Sequence, residues 1–131
     1  MSYPRHVNED SYTLLNLPGI ESALARVEEE LRIAVKADEP LLTKLSRHLI
    51  DAGGKRIRPS LAIASSQILE DKPVAPSREV ILGGVAVELV HQGSLYHDDV
   101  MAGAKTRRNV KSVNEEWGDD DAILGGDYLV A

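Results

Sequence analysis

The stretch YHDDVMAGAKTRR, residues 96–108, sets two adjacent carboxylates, Asp98 and Asp99, ahead of two adjacent guanidiniums, Arg107 and Arg108. Like charges side by side repel, so each pair needs opposite charge against it, supplied either by water or by a ligand. Upstream, His91, Leu95, Asp98 and Ala102 fall at i, i+4, i+7 and i+11, which on a helix is one face. Two carboxylates ending a helix also meet the negative end of its macrodipole, and a cation would offset that. With only oxygen donors on offer the fitting cation is Mg2+, which takes one or two carboxylates and fills its octahedron with water and substrate phosphate. The plain alternative is a solvated acidic helix end.

A second basic cluster lies earlier. GGKRIRP, residues 53–59, holds Lys55, Arg56 and Arg58 in a glycine-opened turn ahead of a helix start. Backbone N–H groups and cationic side chains together suit a phosphate there. Taken alone, each basic cluster reads as solvated surface. In combination with the acids they suggest two anions and one or more divalent ions, the inventory that a site for two diphosphates requires.

The elements that must position these groups are helical. Ile20, Leu24, Val27, Leu31 and Val35 recur at helical spacing from Pro18 onward, with the polar run EEE at 28–30. Asp38 suits the cap of a second helix with Pro40 in its first turn; Leu41, Leu42, Leu45 and Leu49 form its stripe, and Gly53 and Gly54 end it. Pro59 suits the first turn of a third helix over about 59–69, before the breaker-rich loop EDKPVAPS. Ser77 is the expected N-cap of a fourth helix from Arg78 through His97 or beyond. Its Gly83-Gly84 pair costs about 1 kcal/mol per glycine relative to alanine, so a closely approaching helix is expected there. A loop over 103–113 and a last helix from Asp121 follow, with no persistent β-alternation and no repeats. The last apolar face, Ile123, Leu124, Tyr128 and Leu129, ends without a cap and asks for a partner surface. Residues 1–16 read as an irregular arm and 17–131 as one all-α unit.

Composition agrees. The chain has 131 residues, is 43% hydrophobic and carries one Trp, four Tyr and no Phe, so its core is built from Leu, Ile, Val and Ala. It has no Cys, which excludes disulfides and cysteine-based zinc sites. A net charge of −6 argues against nucleic acid as a partner. The greasiest stretch, VILGGVAVELV at 80–90, is broken by Glu88 and too short to span a bilayer, and the N-terminus lacks a secretory pattern, so a cytoplasmic protein is expected.

GGKRIRP, VELVHQGSLYHDDVM, the arginine pair, VN and WG…AIL.GDYL occur in an order that resembles the trans-isoprenyl diphosphate synthases, the polyprenyl synthetases, from about Ile20 to Ala131. The resemblance implies the N-terminal part of the helical isoprenoid synthase fold, Mg2+ dependence, and condensation of isopentenyl diphosphate with an allylic diphosphate. By position, Lys55, Arg58, Arg108 and His91 match the groups on isopentenyl diphosphate, Arg107 matches the arginine on the allylic diphosphate, and Asp98 and Asp99 match the start of the DDxxD motif and its metal site. Gly93 and Ser94 match the floor of the hydrocarbon tunnel, where small side chains imply a product longer than farnesyl. A homodimer or heterodimer is implied as well.

The departures from the pattern are also plain. Ala102 stands at the third aspartate of DDxxD, which weakens the expected metal site; Asn109 replaces the glycine after the arginine pair, and Lys111 stands where proline is usual. The second aspartate-rich motif lies beyond the matched part. Ala102 and the uncapped last helix leave open a second reading, a non-catalytic subunit of a heteromeric prenyl diphosphate synthase. Trp117 and Tyr128 read as packing residues, DDD at 119–121 as a solvated helix start, Asp127 as a structural hydrogen-bond acceptor, and His48 and His6 as isolated.

Overall fold

A computed structural model describes residues 19–68 and 75–131; the N-terminal arm, His6 and the first part of the 70–77 loop lie outside the described residues. The element order is α1 (Ile20–Ala34), α2 (Pro40–Asp51), α3 (Ile57–Gln67), α4 (Arg78–Ala102), β1 (Thr106–Arg107), β2 (Val110–Lys111), α5 (Val113–Trp117) and α6 (Asp119–Val130).

The 25-residue α4 is the axis of the fold. It packs against α6 on one side and against α3 and α1 on another, while α2 and α5 lean on α6. Its sequence shows little amphipathicity because it is covered on more than one face. Ile81, Gly84, Val85, Glu88, Gln92, Gly93, Tyr96 and Asp99 are all buried along it. The five-residue stripe read from α1, Ile20 through Val35, is buried as its spacing demands, and it meets Leu45, Leu49 and Ile50 of α2 in the core. Each such aliphatic side chain taken fully out of water stabilises the fold by about 1.5–3 kcal/mol.

The ends of the helices follow local chemistry. Ser77 accepts from the backbone N–H of Val80, the cap expected for α4. For α2 the cap is Glu39 and not Asp38: Glu39 Oε1 accepts from the Leu41 N–H at 3.2 Å, because Glu39 is the residue that directly precedes Pro40. α3 begins at Ile57, two residues before Pro59, since the αL conformation of Arg56 (φ 52°) starts the helix at once. α6 begins at Asp119, with acids throughout its first turn, and the short α5, capped by Ser112, begins at the last residue of the expected loop.

The rest of that loop forms an antiparallel hairpin, with Thr106 opposite Lys111 and Arg107 opposite Val110. Two-residue strands are too short for an alternation to register in the sequence. The two turn residues, Arg108 (φ 52°) and Asn109 (φ 63°), both sit at positive φ, as type I′ hairpin turns require. Asparagine is the residue after glycine that tolerates this conformation best, so Asn109 keeps the turn that glycine would make.

Small residues set the helix contacts. A Cβ on Gly84 would lie 3.3 Å from Pro59 Cα, which confirms a close approach of α3 at half of the Gly83-Gly84 pair. Gly83 has nothing within 4 Å. A Cβ on Gly93 would lie 2.8 Å from both Gly126 O and Val130 Cγ2. Gly93 therefore serves the α4–α6 contact. Ser94, beside it, is exposed.

Candidate active site

Three elements deliver cations to one region: the 53–58 turn with the start of α3, the middle of α4, and the hairpin. Arg58 and His91 line an open cleft of about 490 Å3 together with Ala86, Val87, Val90 and Ser94. One end of that cleft is cationic and its wall along α4 is aliphatic, the chemistry that suits an anionic head joined to a hydrocarbon. His91 is held below its ordinary pKa of 6.5, first by partial burial and then by Arg58, with Arg108 and Arg107 adding in the same direction and Glu88 opposing. The imidazole thus feels Arg58, Arg107 and Arg108 at once, so three of the expected site residues lie within electrostatic range of the fourth. Lys55 and Arg58 are exposed and have no carboxylate partner among the described residues.

The two aspartates have different fates. Asp99 is buried on α4 and its carboxylate accepts from Arg107 Nη2 at 2.6 Å and from Nε at 3.1 and 3.2 Å. These hydrogen bonds make the Arg107 proton harder to remove. Asp98, one residue earlier, is exposed and has no hydrogen bond or ion pair among the described residues. The pair therefore offers one free carboxylate and one already neutralised by a guanidinium. No group of three or more His, Asp or Glu side chains converges among the described residues. One free carboxylate still fits Mg2+ in its usual manner, in which substrate phosphate and water supply most ligands.

Arg108 and Arg56 are set into the turn. Arg108 Nη1 donates to Leu49 O at 2.8 Å and to Gly53 O at 2.5 Å, which offsets the cost of its αL backbone. Burial and the neighbouring Arg56 both lower the Arg108 pKa, Glu88 acting against them. Arg56, grouped with Lys55 and Arg58 as a phosphate ligand on sequence grounds, faces inward instead. It is 6% exposed and pairs with Glu28 and Glu88. Glu88 is also held by Gln92 Nε2 at 3.0 Å. Sequence reasoning missed this buried set, although a lone Glu inside the apolar run of α4 was its signal: a buried carboxylate demands a cation.

Other polar residues are structural. The Asp127 carboxylate, largely exposed, lies 3.2 Å from His97 Nε2, which also meets Ile123 O at 3.2 Å. His48 is not isolated: its Nε2 lies 2.6 Å from Lys111 O and its ring meets Trp117 edge to face at 5.0 Å, tying α2 to the hairpin and α5. Tyr96, buried against α2, donates to Leu45 O at 2.5 Å, and its burial pushes the phenol pKa up.

Against known proteins, this architecture and residue order find consistent matches. The family model for polyprenyl synthetase matches residues 39–131. The nonaprenyl diphosphate synthase of Mycobacterium tuberculosis is 38% identical over 112 residues, covering 86% of this chain and 32% of that protein. A protein of Bacillus subtilis named heptaprenyl diphosphate synthase component 2 is 37% identical over 105 residues, 80% of this chain and 29% of its own. Among solved structures, the heptaprenyl diphosphate synthase of Staphylococcus aureus superposes with a TM-score of 0.79 at 35% identity, over 85% of this chain and 34% of that one. The chain spans about a third of the length of these relatives. With an all-α fold shared at that level and the basic turn, the α4 face and the arginine hairpin all inside the matched region, the chain belongs to the polyprenyl synthetase family.

Proposed function

We propose that this chain carries the isopentenyl diphosphate side and the first aspartate motif of a prenyltransferase that joins isopentenyl diphosphate to an allylic diphosphate. The observation that carries the reading is the pairing of Arg58 and His91 on a cleft whose α4 wall is aliphatic, with Arg107 and Arg108 within electrostatic range of His91. In this reading Lys55, Arg58, Arg108 and His91 hold isopentenyl diphosphate, and Arg107, held in place by Asp99, faces the allylic diphosphate. Magnesium, when bound, withdraws charge from the leaving diphosphate, and Asp98 is the carboxylate free to hold it. Arg107 stabilises the same developing charge from a pre-set position, which lowers the barrier because no reorganisation is needed at the moment of reaction. Positive charge then develops on the allyl group, the isopentenyl double bond attacks it, and the departing diphosphate takes the proton. Ser94, exposed on the cleft, is the residue we place at the hydrocarbon floor.

A dimer is part of the proposal, and the Bacillus subtilis relative, named as a component, supports a heteromeric partner as one form of it. We place the protein in the cytoplasm; among the described residues no helix is long and apolar enough to cross a membrane.

Calorimetry with isopentenyl diphosphate, with and without Mg2+, tests the reading on wild type, Lys55→Ala and Arg58→Ala. Each substitution should weaken binding about tenfold or more, the worth of one charge-assisted contact. Unchanged affinity in both variants would remove the assignment. Binding that appears only after a second prenyl synthase chain is added would identify a subunit.

A further inference from the structure

Arg56 is an unusual neighbour for Lys55 and Arg58. It sits at φ 52°, which a non-glycine residue adopts only when its surroundings hold it there. Its guanidinium is nearly fully buried, and the chief partner is a residue far off in sequence. Glu28 on α1 receives Arg56 Nε at 2.5 Å and Nη2 at 3.3 Å in a two-toothed pair. The remaining Arg56 hydrogens go to Ile50 O and Gly53 O, both at 3.1 Å, and Glu88 Oε1 lies 3.5 Å from Nη1.

Gly53 O is shared: it also accepts from Arg108 Nη1. Gly54 lies against both guanidiniums, since a Cβ there would come within 2.9 Å of Arg56 Nη1 and 3.0 Å of Arg108 Cζ. A buried guanidinium and a half-buried one against the same turn repel, and Arg56 lowers the Arg108 pKa accordingly. Glu28 and Glu88 balance them, so the cations left over, Lys55 and Arg58, are those that face solvent.

We infer that Glu28 is a positioning residue for the isopentenyl diphosphate subsite. It acts through Arg56, which holds the Gly53–Gly54 turn and so sets both the directions in which Lys55 and Arg58 leave the backbone and the seat of Arg108. Glu28 lies outside residues 39–131, the part that matches the family model. The inference rests on the function proposed above.

A double-mutant cycle tests it in the full gene product, with steady-state kinetics and melting curves on Glu28→Gln, Arg56→Gln and the double variant. Glu28→Gln should raise KM for isopentenyl diphosphate by about tenfold to a hundredfold, the effect of a misplaced binding group, with KM for the allylic substrate unchanged. In the Arg56→Gln background the same change should add nothing, because the relay is already cut. A Glu28→Gln variant that melts earlier but keeps its isopentenyl KM, or one whose effect adds to that of Arg56→Gln, overturns the inference. Should Glu28→Gln fail to fold, Glu28→Asp, which keeps the charge but shortens its reach, is read by the same criterion. Lys55→Ala and Arg58→Ala separate the two levels. If they raise the isopentenyl KM while Glu28→Gln does not, only the relay is wrong; if they too leave it unchanged, the proposed subsite itself falls.

Discussion

At the scale of the residue, adjacent aspartates in one motif have unlike environments because successive residues on a helix are about 100° apart. Asp99 turns into the fold and meets Arg107; Asp98 turns to solvent. The two asparagine variants should therefore separate stability from metal use. Asp99→Asn leaves Arg107 without its carboxylate and should destabilise by about 1–3 kcal/mol. Asp98→Asn should stay within about 0.5 kcal/mol of wild type and abolish the enhancement of diphosphate binding by Mg2+. Thermal melts and calorimetry with and without the metal check both; equal melts for the two variants would contradict the asymmetry. The motif was legible as a sequence of charges, but which acid was free was not, since that depends on where α4 is covered.

At the scale of the element, glycines in α4 have opposite duties. Gly83 is exposed and has open space beside it, so Gly83→Ala should stabilise this chain by up to about 1 kcal/mol through helix propensity alone. At Gly93 the added methyl would press on the Gly126 carbonyl and on Val130, and Gly93→Ala should cost about 1–3 kcal/mol. Denaturant melts of the two variants give the sign directly. Five of the helices were readable from period and caps, including the Ser77 start of α4. The hairpin was not, because its order comes from two αL turn residues and from contacts to α2, not from an alternating pattern.

At the scale of the whole molecule, a chain of net charge −6 still brings Arg58, Arg107 and Arg108 within electrostatic range of His91. His91 reports that proximity, since burial and arginines from α3 and the hairpin all disfavour its protonated form. The unfolded chain then binds a proton near pH 6.5 that the folded chain takes up only at lower pH, so the unfolded state holds more protons in that window. Stability from His91 is present above 6.5 and is lost as the pH falls through the folded value. Melts of His91→Asn should show a flatter decline below that pH than wild type. Bound diphosphate should reverse the shift, because an anion between His91 and the arginines favours the imidazolium. Proton uptake on binding, absent in His91→Asn, is the measurement; no difference between the two proteins would place the anion elsewhere.

The sequence by itself determined the class of the fold, the helical stripes and the order of the chemical motifs, because these depend on period, caps and charge within a few neighbouring residues. Tertiary structure alone decided which members of each motif work outward and which work inward. Arg56 and Asp99 read like their neighbours Lys55 and Asp98, yet they are spent on Glu28 and Arg107. Gly83 and Gly93 are both glycines of one helix, yet only Gly93 lies against α6. The physical reason is that burial and ion pairing are set by elements distant in the chain, so residues of one type in one motif acquire different duties only when the helices pack.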